Sequence, residues 1–245
     1  MAFVVVACVP AGVRVNARSI LKATLKPPRI APMLFDNADD FVNAPHHAIT
    51  VFGMAGVGKT RLSALLRRNR WFHFSVDYRI GTRYMGEYIV DNFKREAMKS
   101  PFLAELLRSD SIYISSNITF DNLEPLSTYL GTPGNPEKGG LPFAEYQRRQ
   151  EQHRIAELYA LQDVPYFIER AKTLYGYDDF IADTGGSLIE VIDLANADDP
   201  IVSTLSDHTT LVYLRGTDDD AHQLVERFKR HPKPMYYRPD FLARK

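Results

Sequence analysis

One eight-residue segment, Gly53-Met-Ala-Gly-Val-Gly-Lys-Thr60, restricts the possible folds of this chain more than any other. It matches the pattern G-x-x-x-x-G-K-[ST] and stands between a β-rich apolar run, residues 48–52, and a segment with leucines at helical spacing. Its three glycines allow the backbone to wrap an anion with N–H groups, and the following helix would point its positive end at the same anion. The segment therefore predicts a phosphate-binding loop between a strand and a helix.

The side chains of this loop predict that the anion is ATP held with Mg²⁺. Lys59 would reach the β and γ phosphates, and the Thr60 hydroxyl would ligate the metal ion. The candidate nucleotide-binding residues are Gly53, Gly56, Val57, Gly58, Lys59, Thr60 and Arg61, and Lys59 is also a candidate catalytic residue.

A candidate catalytic carboxylate follows the aromatic and β-branched run at residues 71–76. In a doubly wound sheet, ligands bind outside the carboxyl ends of the strands, so Asp77 of Ser75-Val-Asp77 is expected near the phosphates. There it would contact the acceptor and take its hydroxyl proton; the alternative is a helix N-cap. Arg79 and Arg83 would bind an anionic substrate, or lie at the surface.

A second carboxylate ends the apolar run Phe180-Ile-Ala-Asp183. Apolar residues that end in aspartate are typical of the Walker B strand, which predicts that Asp183 holds Mg²⁺ together with Thr60 and takes part in catalysis. Gly185 and Gly186 allow close backbone approach to a substrate, or simply form a tight turn. Because many strands end in aspartate, this pattern indicates a metal ligand only when the glycine-rich segment is also present.

A basic segment follows the apolar run at residues 210–214. Arg227 and Arg230 end a predicted helix, and the basic composition continues to Lys233. Such a segment would form a lid that covers the phosphates and excludes water, or a solvated C-terminal face.

The alternation of strands and helices predicts an α/β fold of the P-loop NTPase class, a parallel β-sheet flanked by helices. Residues 36–245 are expected to form one such domain, with a helical insertion at about 84–177 and a possible strand at 111–120. Residues 1–35 contain five bases and no acid. We expect them to be a flexible leader, a transit peptide, or translated upstream sequence that precedes a true start at Met33.

The composition disfavours some partners and some cellular settings. Thirty basic residues balance thirty acidic ones, which disfavours nucleic acid as a partner. The single cysteine, Cys8, excludes an internal disulfide and favours a cytoplasmic setting. The apolar runs are too short to cross a bilayer, so no membrane partner is expected.

In their order along the chain, these motifs resemble the shikimate kinase and gluconate kinase group of small P-loop kinases. Ser75-Val-Asp77 is similar to the group's Asp-x-Asp motif, which implies that Asp77 contacts the substrate hydroxyl. The first aspartate of that motif is Ser75 here, so Asp183 is expected to replace it at the metal. Residues 184–187 resemble the group's glycine-rich substrate motif, and residues 210–235 resemble its lid region.

The resemblance implies transfer of the ATP γ-phosphoryl group to a small hydroxylated metabolite. Two alternatives remain open. One is a regulatory ATPase, or a nucleotide-dependent module whose insertion binds a protein. The other is an enzyme similar to tRNA prenyltransferases, which also carry a P-loop and a catalytic aspartate.

Replacing Asp77 should affect catalysis more than nucleotide binding. The motif order suggests that Asp77 ends a strand next to the strand of the glycine-rich segment, on the acceptor side. Asp77→Asn should preserve Mg·ATP affinity and slow phosphoryl transfer by roughly 10²–10⁴-fold, because an amide cannot accept the proton. Calorimetry and a turnover assay on the same variant check this. Loss of both would make Asp77 a metal ligand or a structural residue, and loss of neither would exclude it as the base.

Overall fold

The computed structural model describes residues 4–6, 35, 37–193, 196, 198–230 and 234–244. The strands of this part are Val4–Val6 (β1), Ala48–Phe52 (β2), Trp71–Ser75 (β3), Asp179–Asp183 (β4) and Thr210–Leu214 (β5). Its α-helices are Ala38–Val42 (α1), Lys59–Arg68 (α2), Val76–Arg79 (α3), Gly86–Ala97 (α4), Pro101–Arg108 (α5), Glu124–Leu130 (α6), Phe143–Gln162 (α7), Val164–Thr173 (α8), Leu188–Val191 (α9), Pro200–His208 (α10), Asp218–Arg230 (α11) and Pro239–Leu242 (α12). A π-helical turn covers Ile80–Tyr84, and a 3₁₀ turn covers Pro136–Lys138.

Two units make up the chain. The first contains Met1–Val76 and Leu161–Arg230, and the second contains Asp77–Ala160 and His231–Lys245. The segment predicted as an insertion, about 84–177, covers parts of both units, because α4 belongs to the second unit and α8 to the first.

A mostly parallel sheet forms the first unit, in the order β1-β5-β2-β4-β3. The strands β5, β2, β4 and β3 run parallel, and β1 pairs antiparallel with β5. This confirms the predicted α/β class with a parallel sheet flanked by helices. It also corrects the expectation for residues 1–35 at one point, because Val4–Val6 belongs to the sheet. The remaining predicted leader, apart from residue 35, lies outside the described residues.

Side-chain alternation gives the sheet two apolar faces. On one face, Val51, Ile181 and Val212 form a buried cluster, against which Leu62 and Leu66 of α2 pack. On the other face, aromatic side chains of β3 and β4 stack with Phe167 of α8 and with each other; these are Phe72, Phe74 and Phe180. The sheet is therefore covered by helices on both sides, and its strand ends are left for loops.

Two sequence-based expectations about strands are wrong. β3 is not the neighbour of β2, because β4 lies between them and pairs in parallel with both. Residues 111–120 contain no strand; this described segment is irregular and ends in a turn in which Thr119 and Asn122 exchange backbone hydrogen bonds. Within this segment Ile118 is buried against Gly81, so this apolar side chain packs without being part of a strand.

A buried arginine connects three helices of the second unit. The Arg149 guanidinium on α7 donates to Glu145 Oε1 at 2.7 Å, to Asn92 Oδ1 of α4 at 3.0 Å, and to the Tyr129 carbonyl of α6. It also lies 4.5 Å from the centroid of the Tyr129 ring. Hydrogen bonds from Arg148 and Arg149 lower the pKa of Glu145 to about 2, so this network is ionised across the physiological range.

The described helices include none that combines the length and the apolar composition needed to cross a bilayer.

His153 of α7 should make the second unit sensitive to acid. Its imidazole is buried, stacks on Tyr236, and lies 3.7 Å from Glu157, and burial lowers the pKa of His153 to about 4. The unfolded histidine titrates near 6.5, so between about pH 6.5 and 4 only the unfolded chain binds this proton. Stability should therefore fall as the pH decreases through this window, by at most about 1.4 kcal/mol per pH unit.

Urea denaturation of the wild type and of His153→Gln at pH 7.5, 6 and 5 measures this contribution. The variant should show a shallower dependence on pH, whatever its stability at pH 7.5. The exposed His222→Gln serves as the control and should keep the wild-type slope. Equal slopes for wild type and His153→Gln would contradict the prediction.

Candidate functional site

The glycine loop, residues 53–60, joins the buried strand β2 to α2. Positive φ angles of 142° at Gly53, 88° at Gly56 and 96° at Gly58 curl it back over the start of the helix. A Cβ atom at Gly53 would lie 2.4 Å from the carbonyl oxygen of Leu214, so the backbone after β2 touches the end of β5. The predicted strand–loop–helix context is therefore confirmed.

Lys59 is buried beneath this loop. Its ammonium group donates to the carbonyl oxygens of Gly53 at 2.7 Å and Met54 at 3.0 Å, and the residue is only 6% exposed. Neutral carbonyls are weaker partners for an ammonium group than anionic oxygens are. The interior of the loop thus holds a cation that an anion would bind more strongly than the carbonyls do.

The start of α2 adds a second source of positive potential. Gly58 is its N-cap in the left-handed conformation, and no described side chain caps this end of the helix. Its first turn also lacks acidic residues. Helix N–H groups at such an end suit an anion, and the helix dipole has the same sign.

Loops from the two strands beside β2 pack against the glycine loop. After β4, a Cβ at Gly186 would lie 3.1 Å from the Ala55 Cβ. After β5, a Cβ at Gly216 would lie 2.9 Å from the Met54 side chain and 3.1 Å from Val57. Glycine at these positions lets three strand-end loops meet, as expected at the carboxyl edge of a parallel sheet.

The helix α11 brings a cation to the same loop. It begins with a cap in which the Thr217 backbone and hydroxyl donate to Asp220, which lowers the pKa of that carboxyl. Two turns further along, α11 passes the glycine loop. A Cβ at Gly56 would lie 3.2 Å from an Nη atom of Arg227 and 3.9 Å from Leu224. The structure therefore brings the predicted lid residue Arg227 to the loop.

Asp183 lies at the carboxyl end of β4, directly between β2 and β3. Its backbone partners are Val51 and Ser75, and its side chain is buried. His73 of β3 points to the same face and places its Nε2 3.5 Å from Asp183 Oδ2. Directly after Asp183, Thr184 donates through its hydroxyl to the Val51 carbonyl at 2.9 Å.

The predicted site residues of the first unit range from buried to exposed. Val57 is half-buried and packs against the apolar core below the loop, and Gly185 is buried. The exposed ones are Gly56, Thr60, Arg61, Gly186, Arg227 and Arg230. Lys233 lies outside the described residues.

Three predicted substrate-binding residues belong to the second unit: Asp77, Arg79 and Arg83. Asp77 is within the first turn of α3, so it is not the N-cap that the sequence left as an alternative. Arg79 stacks on the Tyr84 ring at 5.6 Å, and Arg83 is exposed. Their roles toward a substrate remain predictions.

The donor set at this edge suits a hard cation. Thr60 supplies a hydroxyl and Asp183 a carboxylate, which are oxygen ligands of the type that Mg²⁺ prefers beside phosphate oxygens. Across the described residues, no group of three or more His, Cys, Asp or Glu side chains could hold a metal ion. A predicted Mg²⁺ site of one carboxylate, one hydroxyl and nucleotide oxygens would not form such a group.

No protein-family model matches this chain, and neither a curated protein nor a solved structure was found to match it. The resemblance to the shikimate kinase and gluconate kinase group therefore remains a prediction from the motifs.

Sequence reasoning missed His73 and Gly216 as parts of this site. A histidine within an otherwise apolar and aromatic strand was the available signal for His73. Nothing in the sequence near Gly216 indicated that it would contact Met54, because that contact requires β5 to lie beside β2.

Two glycines of the loop should respond differently to substitution. Gly53→Ala would place its Cβ against the backbone oxygen of Leu214, which cannot move without disturbing β5. A Cβ at Gly58 would have no neighbouring atom within 4 Å, so Gly58→Ala incurs only the strain of its positive φ, roughly 1–3 kcal/mol. Urea denaturation should show that Gly53→Ala lowers the free energy of unfolding clearly more than Gly58→Ala does. An equal or smaller loss would contradict the close approach of β2 and β5.

Proposed function

We propose that this chain is a P-loop NTPase that binds ATP with Mg²⁺ and transfers the γ-phosphoryl group to a small hydroxylated acceptor. One observation carries the proposal: the glycine loop curls over a buried lysine at a helix start that no described side chain caps, with Arg227 beside the loop. An ammonium group, a guanidinium group and the N–H groups of a helix start thus all belong to, or adjoin, one short loop. This set of donors suits a polyphosphate rather than a neutral ligand.

Phosphate binding would exchange the partners of Lys59. Its ammonium group would leave the carbonyls of Gly53 and Met54 for β- and γ-phosphate oxygens, which are stronger acceptors. The N–H groups of the loop and of the first turn of α2 would hold the remaining oxygens. Once they hold the nucleotide, these donors would need little further reorganisation as negative charge develops on the departing ADP oxygen.

Thr60 and Asp183 would hold Mg²⁺, and a bound Mg²⁺ would supply positive charge beside the phosphates. The position of Asp183 supports this assignment, because the strand β4 is the direct neighbour of β2 and ends at the same edge of the sheet. The burial of its carboxylate also favours a charged partner there.

Arg227 and Leu224 would cover the phosphates from α11. A guanidinium group provides planar, bidentate contacts to phosphate oxygens, and the leucine would exclude water from the transferring group. The general base that activates the acceptor is assigned from the sequence alone, to Asp77. The acceptor is proposed only as a class, a small molecule that bears a hydroxyl group.

A second candidate is a nucleotide-dependent protein-binding module. The second unit favours it, because Phe102 is 70% exposed and Tyr113 is 89% exposed. Large aromatic side chains on a surface are typical of protein interfaces. In this case ATP hydrolysis would be slow and would not respond to small hydroxylated metabolites.

Replacing cations near the loop tests the phosphate site. Lys59→Ala removes charge-assisted hydrogen bonds worth about 1.5–3 kcal/mol, which corresponds to roughly 10–100-fold weaker Mg·ATP binding. Arg227→Ala should weaken binding less, because this side chain is exposed. Calorimetric titration of each variant with Mg·ATP provides the affinities, and a panel of hydroxylated metabolites with labelled ATP reports transfer.

Arg68→Ala is the matched control, because it removes a cation from the last turn of α2, about 13 Å from Lys59 along the helix. It should bind Mg·ATP as the wild type does. Equal affinities for Lys59→Ala and Arg68→Ala would contradict the phosphate site. Hydrolysis without transfer to any metabolite would favour the protein-binding module, and diphosphate release from a prenyl donor would favour the prenyltransferase alternative.

A further inference from the structure

In the described part of the chain, one histidine–aspartate pair lies at each end of the strand β4. At the amino end, His47 binds Asp179 through its backbone N–H at 2.9 Å and its Nδ1 at 2.8 Å. At the carboxyl end, His73 Nε2 approaches Asp183 Oδ2 at 3.5 Å. The two pairs use the same chemistry on the same strand, but only the second lies beside the glycine loop.

The amino-end pair has a complete structural role. The other ring nitrogen of His47, Nε2, lies 2.6 Å from the Phe41 carbonyl, so the imidazole bridges α1 and β4. The ring also stacks on Trp71. These contacts account for His47 and Asp179 without any ligand.

The carboxyl-end pair is more deeply buried and less tightly joined. The side chains of His73 and Asp183 are 3% and 6% exposed, and their separation of 3.5 Å is longer than a short hydrogen bond. A buried carboxylate is costly unless a charge or a donor compensates it. The imidazole lies against one carboxylate oxygen of Asp183 and so occupies the space on that side of the carboxylate.

The backbone of Asp183 is also held on both sides. It pairs with Val51 of β2 and with Ser75 of β3, and Thr184 fixes the next residue to the Val51 carbonyl. The main chain therefore fixes where the carboxylate stands, and the His73 ring lies beside its Oδ2 atom.

We infer that His73 is a positioning residue that orients the Asp183 carboxylate toward the metal ion of the nucleotide. This inference rests on the proposed function, in which Asp183 holds Mg²⁺. Residues that contact a metal ligand typically change metal affinity or activity by about 10–100-fold when replaced. His73 would thus act through Asp183, without contact to the nucleotide.

Binding of Mn²⁺ to the ADP complex tests this role without measuring activity. Free Mn²⁺ is followed by electron paramagnetic resonance for the wild type, His73→Leu, His73→Gln and Asp183→Asn. We expect His73→Leu to weaken Mn²⁺ binding by about 10–100-fold. His73→Gln should keep most of the affinity, because its amide nitrogen can reach the position of Nε2. Metal-free ADP affinity should be the same in all of them.

His47→Leu is the matched control, since it breaks the other histidine–aspartate pair of the same strand. It should lower the thermal midpoint and leave the Mn²⁺ affinity unchanged. If His73→Leu does not fold, His73→Asn replaces it, because the shorter amide does not reach Asp183.

Three results would overturn the inference in distinguishable ways. If Asp183→Asn loses Mn²⁺ affinity while the His73 variants keep it, His73 is only a core residue and the proposed function stands. If Asp183→Asn also binds Mn²⁺ as the wild type does, the metal assignment of the proposed function fails and the inference fails with it. A parallel loss of metal-free ADP affinity in His73→Leu would show general damage to the site and would also contradict the inference.

Discussion

The buried ammonium group of Lys59 is the constraint on which the arrangement around it depends. A cation inside a protein needs polar partners, and here the carbonyls of Gly53 and Met54 provide them. Those carbonyls can turn toward Lys59 only because the loop curls through positive φ angles. The curl brings the backbone of Gly53 against the end of β5, so the loop, the helix α2 and the neighbouring strand are mutually dependent.

Local sequence patterns predicted most of the strands and helices around the glycine loop. The order of the strands in the sheet could not be predicted, because it depends on pairing between distant segments. The strand β2, the glycine loop and α2 are specified by adjacent residues, namely an apolar run, glycines and spaced leucines. The place of β3 at the sheet edge depends on its pairing with β4, more than 100 residues later, and no local pattern encodes that choice. Residues 111–120 have strand-like composition but form no strand, because composition alone does not determine whether a segment pairs with a sheet.

The candidate site shows the same division between local and distant information. Gly53, Gly58 and Lys59 were recognisable because one short motif contains them. His73 and Asp183 approach each other only because two strands pair in a particular register. Arg227 was predicted as a lid residue from its composition and place in the chain, but its approach to Gly56 depends on how α11 packs. The packing of the second unit was not predictable from local patterns, because its buried Arg149 joins helices that are separated along the chain.

In the proposed function, the glycine loop binds the phosphates of a nucleotide. Two calorimetric titrations of the wild-type chain test this most directly, one with Mg·ATP and one with adenosine. We expect saturable binding of Mg·ATP at about one molecule per chain and much weaker binding of adenosine, because the phosphates would provide the contacts to Lys59 and to the helix end. Equal affinity for adenosine and Mg·ATP, or no binding of Mg·ATP at all, would contradict it.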